Sequence, residues 1–283
     1  MRVVKAASVM REIVQEAHAE GRTVGLVPTM GFFHQGHLEL MRRARRECDV
    51  VVVTLFVNPT QFTPGEDYQD YPRDFGRDSS MAEREGVDFI FAPEVGEMYP
   101  EGSRTAVEVT ELSNVMCGAL RRGHFRGVTT VVAKLFNIVG ADRAYFGQKD
   151  AQQLVIIRRM AGDLNFPQEI IAVPTVREED GLAMSSRNTY LEPEERRAAT
   201  VLYRSLEAAR LMIETGERNA ETIRGAMEAV LSHEPLANLE YIAICDNIYL
   251  EPLENLYGEV LIALAARIGK ARLIDNMALN LES

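Results

Sequence analysis

Val50 to Val57 reads VVVVTLFV, an almost unbroken apolar run. It is far too short to cross a bilayer, which takes about 20 residues. It also lacks the apolar–polar alternation of a strand with one wet face. A run of this kind predicts a strand buried on both sides, the condition of a parallel sheet covered by helices on both faces.

The neighbouring segments fit such a sheet. TVGLVP, VDFIFAP, DRAYFG and QEIIAVPTV read as further strands. Between them, HLELMRRARREC places Leu38, Met41 and Ala44 at three-residue steps, which predicts a helix. SSMAEREG and DAQQLVIIRRMAGDL read the same way. GVTTVVAKLFNIVG also predicts a helix despite its β-branched residues, because Val128, Val131, Val132, Leu135, Phe136 and Val139 keep a helical period. The first residues, MRVVKAASVMREIVQEAHAEG, read as one amphipathic helix with charges where a signal peptide would be apolar.

Strand–helix alternation at this spacing predicts an α/β fold, a Rossmann-like doubly wound parallel sheet. Right-handed crossovers would bring the strand C-termini to one edge, where ligands bind. Three polar turns leave that edge: Val27 to His37, Val57 to Gln61, and YFGQKD. Past residue 176 the order changes. EPEERRAATVLYRSLEAARLMIETGE predicts one long helix and NAETIRGAMEAVLSHE a second, followed by the strands LEYIAICDN, GEVLIALAARIG and ARLIDNMAL. The expectation is a Rossmann-like domain over 1–175 and a smaller α+β domain over 176–283.

The chain of 283 residues carries a net charge of −11, which argues against a general binder of nucleic acid or anionic membrane. A local cluster of cations could still hold a small anion. Cys48, Cys117 and Cys245 are scattered, so neither a disulfide framework nor a cysteine-rich zinc site is expected. A reducing, cytoplasmic location is the expectation, with no protein-bound metal.

The turn Met30-Gly31-Phe32-Phe33-His34-Gln35-Gly36-His37 stands where a strand hands over to a helix. A helix N-terminus offers unpaired N–H groups and the positive end of a dipole, and glycines let an anion approach the backbone. Imidazoles at i and i+3 could donate to phosphate oxygens. From spacing alone, phosphate binding and two incidental histidines both stand. Zinc would need a third ligand, and His18, His124 and His233 are not at ligand spacing. Lys149 and Asp150 in FGQKDAQQ could meet phosphate and ribose, or be a solvated lysine and a helix cap. Ser185, Ser186 and Arg187 in DGLAMSSRN suit a triphosphate, or an ordinary polar loop between domains. Taken alone, LRRGHFRG, with Arg121, Arg122, His124 and Arg126, reads better as a charged, solvated face.

Their combination is more specific. The first turn resembles the H-x-G-H signature of the nucleotidylyltransferase superfamily, and AMSSRN is similar to the second, phosphate-holding signature of class I aminoacyl-tRNA synthetases. More narrowly, PTMGFFHQGHL, FVNPTQF, DYPRD, LRRGHFRGVTTVVAKLFNIV, YFGQKDAQQLVIIRRM, DGLAMSSRN and ARLIDN resemble, in order and over essentially the whole chain, the pantothenate synthetase (pantoate–β-alanine ligase) family. Two departures are small: Phe33 stands where leucine is usual and Gln148 where glutamate is usual.

The resemblance implies an ATP-dependent condensation of pantoate with β-alanine, releasing AMP and diphosphate through pantoyl adenylate. It implies that His34 and His37 contact ATP phosphates, with His37 as proton donor, and that the turn from Met30 through His37 lines the ATP site. Gly147 and Asp150 would face the ribose, with Gln148 between them. Lys149, Ser185, Ser186 and Arg187 would take the phosphates, with Met184 beside them and Val176 near adenine. Gln61 and Gln153 would hold pantoate, and Gln61 also β-alanine. Mg²⁺ would accompany ATP, the second domain would act as a lid, and the protein would be a homodimer. The rival readings are a true nucleotidylyltransferase, which retains AMP on its product, and a nucleotide-binding module without catalysis.

Overall fold

The computed structural model describes residues 1–63 and 65–281. Strands and helices alternate from the start: β1 (Arg2–Val4), α1 (Ala7–Ala19), β2 (Val24–Thr29), α2 (Gln35–Glu47), β3 (Val50–Leu55), α3 (Phe75–Arg84) and β4 (Phe89–Phe91). Then follow α4 (Val95–Met98), α5 (Met116–Leu120), α6 (His124–Val139), β5 (Arg143–Gly147), α7 (Ala151–Asp163) and β6 (Glu169–Val173). The remainder is α8 (Pro193–Ala198), α9 (Val201–Glu214), α10 (Ala220–Ser232), β7 (Ala237–Asp246), β8 (Gly258–Ile268) and β9 (Ala271–Leu281). By internal contacts the chain divides into two units. The first holds 1–114, 118–148 and 156–174; the second holds 115–117, 149–155 and 175–283.

The first unit is built on a six-stranded sheet in the order β1-β4-β3-β2-β5-β6, with every pairing parallel. Val50, Val51, Val52 and Val53 of β3 are all buried, as a run without alternation requires. Val51 and Val53 join Val27, Leu38, Leu40, Met41 and Ala44 in one cluster, so α2 covers that face. Val50 and Val52 point the other way. Helices α1 and α6 pack on each other and on β2. The order reverses between β2 and β5. That reversal is the topological switch point, and the C-terminal ends of these two strands open the crevice where such sheets bind ligands.

Helix α6 keeps its β-branched residues because nearly its whole surface is buried: Val128, Val131, Val132, Leu135, Phe136 and Val139 are all in the core. It ends at Gly140, whose left-handed backbone returns its N–H to the Phe136 carbonyl. The second unit packs α9 and α10 on the antiparallel sheet β7-β8-β9. Leu206, Ala209 and Ile213 of α9, and Ile223, Met227 and Leu231 of α10, share a core with Val260, Ile262 and Leu264 of β8.

Two expectations are corrected. The first residues are not helical throughout: Arg2 to Val4 form an edge strand paired with β4, and the helix begins only at Ala7. The long helix predicted from Glu192 is two helices. At the break, Thr200 N–H reaches the Arg197 carbonyl, three residues back, and the Thr200 hydroxyl donates to the same carbonyl at 2.8 Å. A threonine hydroxyl competing for a helical carbonyl loosens the regular ladder.

Candidate active site

Strand β2 ends at Thr29, and the chain turns sharply before α2. Gly31 has φ +87°, and a Cβ there would lie 2.5 Å from Leu55 Cδ2. Only glycine fits both the backbone and the space. Phe32 also has positive φ, 53°, an uncommon state for a bulky residue. The strain is held from behind. Asp78, fully buried on α3, accepts Phe32 N–H at 2.6 Å and Phe33 N–H at 2.8 Å. Burial pushes the Asp78 carboxyl above its usual pKa, against the pull of these two donors. Arg77 completes the brace: it donates to the Phe33 carbonyl at 2.8 Å, and its guanidinium lies 4.9 Å from the Phe32 ring centroid. The Phe33 side chain is fully buried, so only its backbone belongs to the turn's open side.

The histidines cap α2 reciprocally. His34 Nδ1 accepts Gly36 N–H at 3.1 Å, and His37 Nδ1 accepts His34 N–H at 3.3 Å. Their ring centroids are 4.1 Å apart. A nitrogen that accepts a backbone N–H carries no proton, so in the neutral rings both protons sit on Nε2. The cap therefore fixes the tautomer and makes each Nε2 a donor at the positive end of a helix. That arrangement suits an anion and charge developing on it.

Gln61 is held at the C-terminal side of β3, in the short 3₁₀ turn Pro59–Gln61. Its Oε1 accepts from Asn58 Nδ2 at 3.1 Å, and its Nε2 lies 3.0 Å from Met30 Sδ. Asn58 is buried and also donates to the Gly127 carbonyl at 3.1 Å, while Tyr99 donates to its Oδ1 at 2.8 Å. Helix α6 presses directly on this turn: a Cβ on Gly127 would lie 2.3 Å from the Thr60 carbonyl oxygen.

The segment LRRGHFRG divides in two. Arg122 and Arg126 are exposed, as a solvated face would be. His124 and Arg121 are not. His124 is buried, its Nδ1 2.7 Å from the Gln61 carbonyl, and Arg121 Nη1 lies 3.0 Å from His124 Nε2. An arginine only donates, so His124 Nε2 accepts and Nδ1 carries the proton, the tautomer opposite to that of His34 and His37. Glu66 closes the chain on Arg121, with contacts of 2.5 and 2.8 Å. Burial would raise the Glu66 pKa, but the hydrogen bonds and charge of Arg121 and the Thr63 N–H hold it down at about 2.

Of the residues singled out in the sequence, Met30 to His37, Gln61, Gly147 and Gln148 belong to the first unit. Lys149, Asp150, Gln153, Val176 and Met184 to Arg187 belong to the second. Within the second, Lys149 and Ser185 line one small cavity with Asn188 and Asp275. Ser185 caps the turn Ser186–Tyr190, its Oγ accepting Arg187 N–H at 3.3 Å. Met184 N–H bonds the Val176 carbonyl at 3.0 Å. Gln153 is half-buried on α7, whereas its neighbour Gln152 is buried and committed to Cys117 N–H and the Val115 carbonyl. Asp150 is exposed. Sequence reading missed Asp78, Arg77 and Asn58. The one available signal was Asp78 itself, a charge four residues before Ala82 on the buried face of α3.

Among the described residues, no group of three or more His, Cys, Asp or Glu side chains is placed to hold a metal ion. No helix among the described residues is long and apolar enough to cross a membrane.

A switch-point crevice, a braced turn at a helix N-terminus and paired Nε2 donors define an α/β enzyme of the nucleotide-binding class. Comparison makes the assignment specific. The family described as pantoate-beta-alanine ligase matches residues 2–278, and the chain belongs to that family. It is 59% identical over 277 residues to the pantothenate synthetase of Heliobacterium modesticaldum, covering 98% of this chain and 99% of that one. The crystal structure of the Thermus thermophilus pantothenate synthetase is similar at TM-score 0.93 and 51% identity, covering 98% of this chain and 99% of that one. The ligase of Francisella tularensis, solved with a β,γ-ATP compound and β-alanine, matches at TM-score 0.80 and 34% identity over 98% of this chain and 97% of that one.

Proposed function

We propose that this chain joins (R)-pantoate to β-alanine with ATP, forming pantothenate, AMP and diphosphate through bound pantoyl adenylate. The observation that carries the reading is the reciprocal cap of His34 and His37, which turns two Nε2–H donors into fixed features of a helix N-terminus. A carboxylate does not acylate an amine at a useful rate, because its leaving group would be oxide. Adenylation removes that obstacle. A pantoate carboxylate oxygen bonds to the α-phosphorus as the bond to the bridging oxygen breaks and diphosphate leaves. The β-alanine amine then bonds to the acyl carbon, AMP departs with the former carboxylate oxygen, and the amine gives up a proton. The enzyme's part is positioning and charge stabilisation.

In this reading His34 and His37 donate to phosphate oxygens, and His37 follows the charge developing at the α-phosphorus. Lys149, Ser185, Ser186 and Arg187 take the remaining phosphate charge. Gly147, Gln148 and Asp150 lie toward the ribose and Val176 and Met184 toward adenine. Gln61 and Gln153 hold pantoate by neutral amides, which suits a ligand rich in hydroxyls, and Gln61 also meets β-alanine. Mg²⁺ enters as part of the substrate, carried by phosphate oxygens and water. The C-terminal unit serves as a lid, the working form is a homodimer, and the reaction runs in the cytoplasm.

Isotope transfer tests the chemistry. Pantoate labelled with ¹⁸O in its carboxylate is expected to pass one labelled oxygen to AMP, and diphosphate–ATP exchange is expected to need pantoate but not β-alanine. Label appearing in diphosphate, or exchange without pantoate, would remove the adenylate from the mechanism. A dinucleotide-like product without free AMP would mark a nucleotidylyltransferase, and ATP binding without diphosphate release a non-catalytic module.

A further inference from the structure

The stretch ARLIDN has so far no part in the chemistry. Its last two residues, Asp275 and Asn276, are both buried on β9, where polar side chains persist only if they are paired. Each is committed to a different segment of the second unit. Asn276 Nδ2 donates to the Lys149 carbonyl at 2.8 Å. Asp275 takes a bidentate pair of bonds from Arg177, at 2.6 and 2.9 Å. Arg177 in turn donates to the Gly181 carbonyl at 2.9 Å and lies 4.6 Å from the Tyr203 ring centroid.

These contacts clamp a small hairpin. Arg177 and Ala183 bridge antiparallel, and Glu178 N–H meets the Leu182 carbonyl. Gly181, at φ +90°, is seated so tightly on Tyr203 that a Cβ would lie 2.0 Å from its ring. The chain leaves this hairpin directly into Met184, Ser185, Ser186 and Arg187. Adjacent residues of one strand thus hold the backbone from which the lysine departs and the hairpin from which the serine–arginine loop departs. Lys149, Ser185 and Asp275 line the same cavity.

We infer that Asp275 and Asn276 are positioning residues that set Lys149 and the Ser185–Arg187 loop in register for one polyphosphate, an inference that rests on the phosphate role given to those groups above. A pair serving only to stabilise the hairpin would have no use for the Lys149 carbonyl. Asp275 acts through Arg177, and Asn276 acts on the backbone that aims the lysine.

A double-mutant cycle between Asn276→Ala and Lys149→Ala tests it, read as kcat, KM for ATP, KM for pantoate and Tm. Asn276→Ala is expected to raise the KM for ATP or lower kcat by about tenfold, the scale of one buried hydrogen bond, with the KM for pantoate nearly unchanged. In the Lys149→Ala background the same substitution is expected to change little, because groups acting through one another are not additive. Asn276→Leu, similar in volume, uncharged and unable to donate, should repeat the Asn276→Ala result and guards against a packing defect. Additive losses, or a KM for pantoate that rises in step with that for ATP, overturn the positioning role and leave the phosphate reading intact. Full activity in Lys149→Ala overturns the phosphate reading of the lysine, and the inference with it.

Discussion

The carboxylate of Asp78 accepts the N–H of Phe33 at 2.8 Å across a separation of 45 residues, and so fixes a turn it is remote from in sequence. Replacing it with asparagine keeps one acceptor and sets an NH₂ group against a backbone donor. Asp78→Asn is expected to cost roughly 1–3 kcal/mol, the range for a buried donor left unpaired. Urea unfolding would measure that loss. Because the turn carries the histidines, the KM for ATP should rise while the KM for pantoate moves less. Unchanged ATP kinetics at reduced stability would confine Asp78 to a folding role.

His37 combines a proposed catalytic role with a cap. His37→Ala removes a preorganised donor, so kcat should fall on the order of 10²-fold or more. It also removes the acceptor of the N-cap His34 N–H, so stability should fall by about 1 kcal/mol, the scale of a lost capping hydrogen bond. Turnover with pantoate and β-alanine, set beside thermal unfolding, separates the two losses. A variant that loses stability but retains kcat would leave His37 as a cap alone.

Gln61 and Gln153 should differ when truncated. Gln153→Ala is expected to weaken pantoate use by roughly 1–3 kcal/mol with little change in ATP binding. Gln61 is in addition the partner of Asn58, so Gln61→Ala should weaken pantoate use and also destabilise the 58–61 turn. Steady-state kinetics with calorimetric Tm values would check both. Equal effects on pantoate and ATP would place either glutamine in the scaffold.

Glu66 predicts an acid limb. Its pKa is held at about 2 in the folded chain against an ordinary 4.5. A depressed carboxyl contributes stability that is fully present above the unfolded value and is lost as pH falls toward the folded one. Wild type should therefore exceed Glu66→Gln in stability at pH 7, and the difference should close between about 4.5 and about 2. A gap that stays constant over that range would mean the Arg121 pair does not set it.

Much of the fold is legible because burial on two faces writes itself as an unbroken run, as in Val50 to Val53, and because a helix writes a period, as in Leu38, Met41 and Ala44. The His34–His37 turn is legible because its glycines and imidazoles are contiguous. The rest depends on residues distant in sequence. Nothing local marks Arg121 and His124 as supports of Gln61, since a cation paired inside looks the same in sequence as one in water. Arg2 to Val4 are too few to show a strand's period, and they become one only by pairing with β4. Thr200 splits a helix with a hydroxyl that elsewhere would face solvent.

The place of β2 in the sheet has a consequence for synthesis. Its first neighbour, β3, follows it out of the ribosome directly, and the Asp78 brace comes soon after. Its other neighbour is β5, whose pairing begins only at Arg143 and Ala144. Until then the strand that carries the histidine turn is an open edge, its backbone donors and acceptors unpaired on the side of the future crevice. The nascent chain thus completes its histidine turn well before it closes the crevice edge, and a stalled or truncated product ending before β5 would be a sticky one, prone to pair with its own kind.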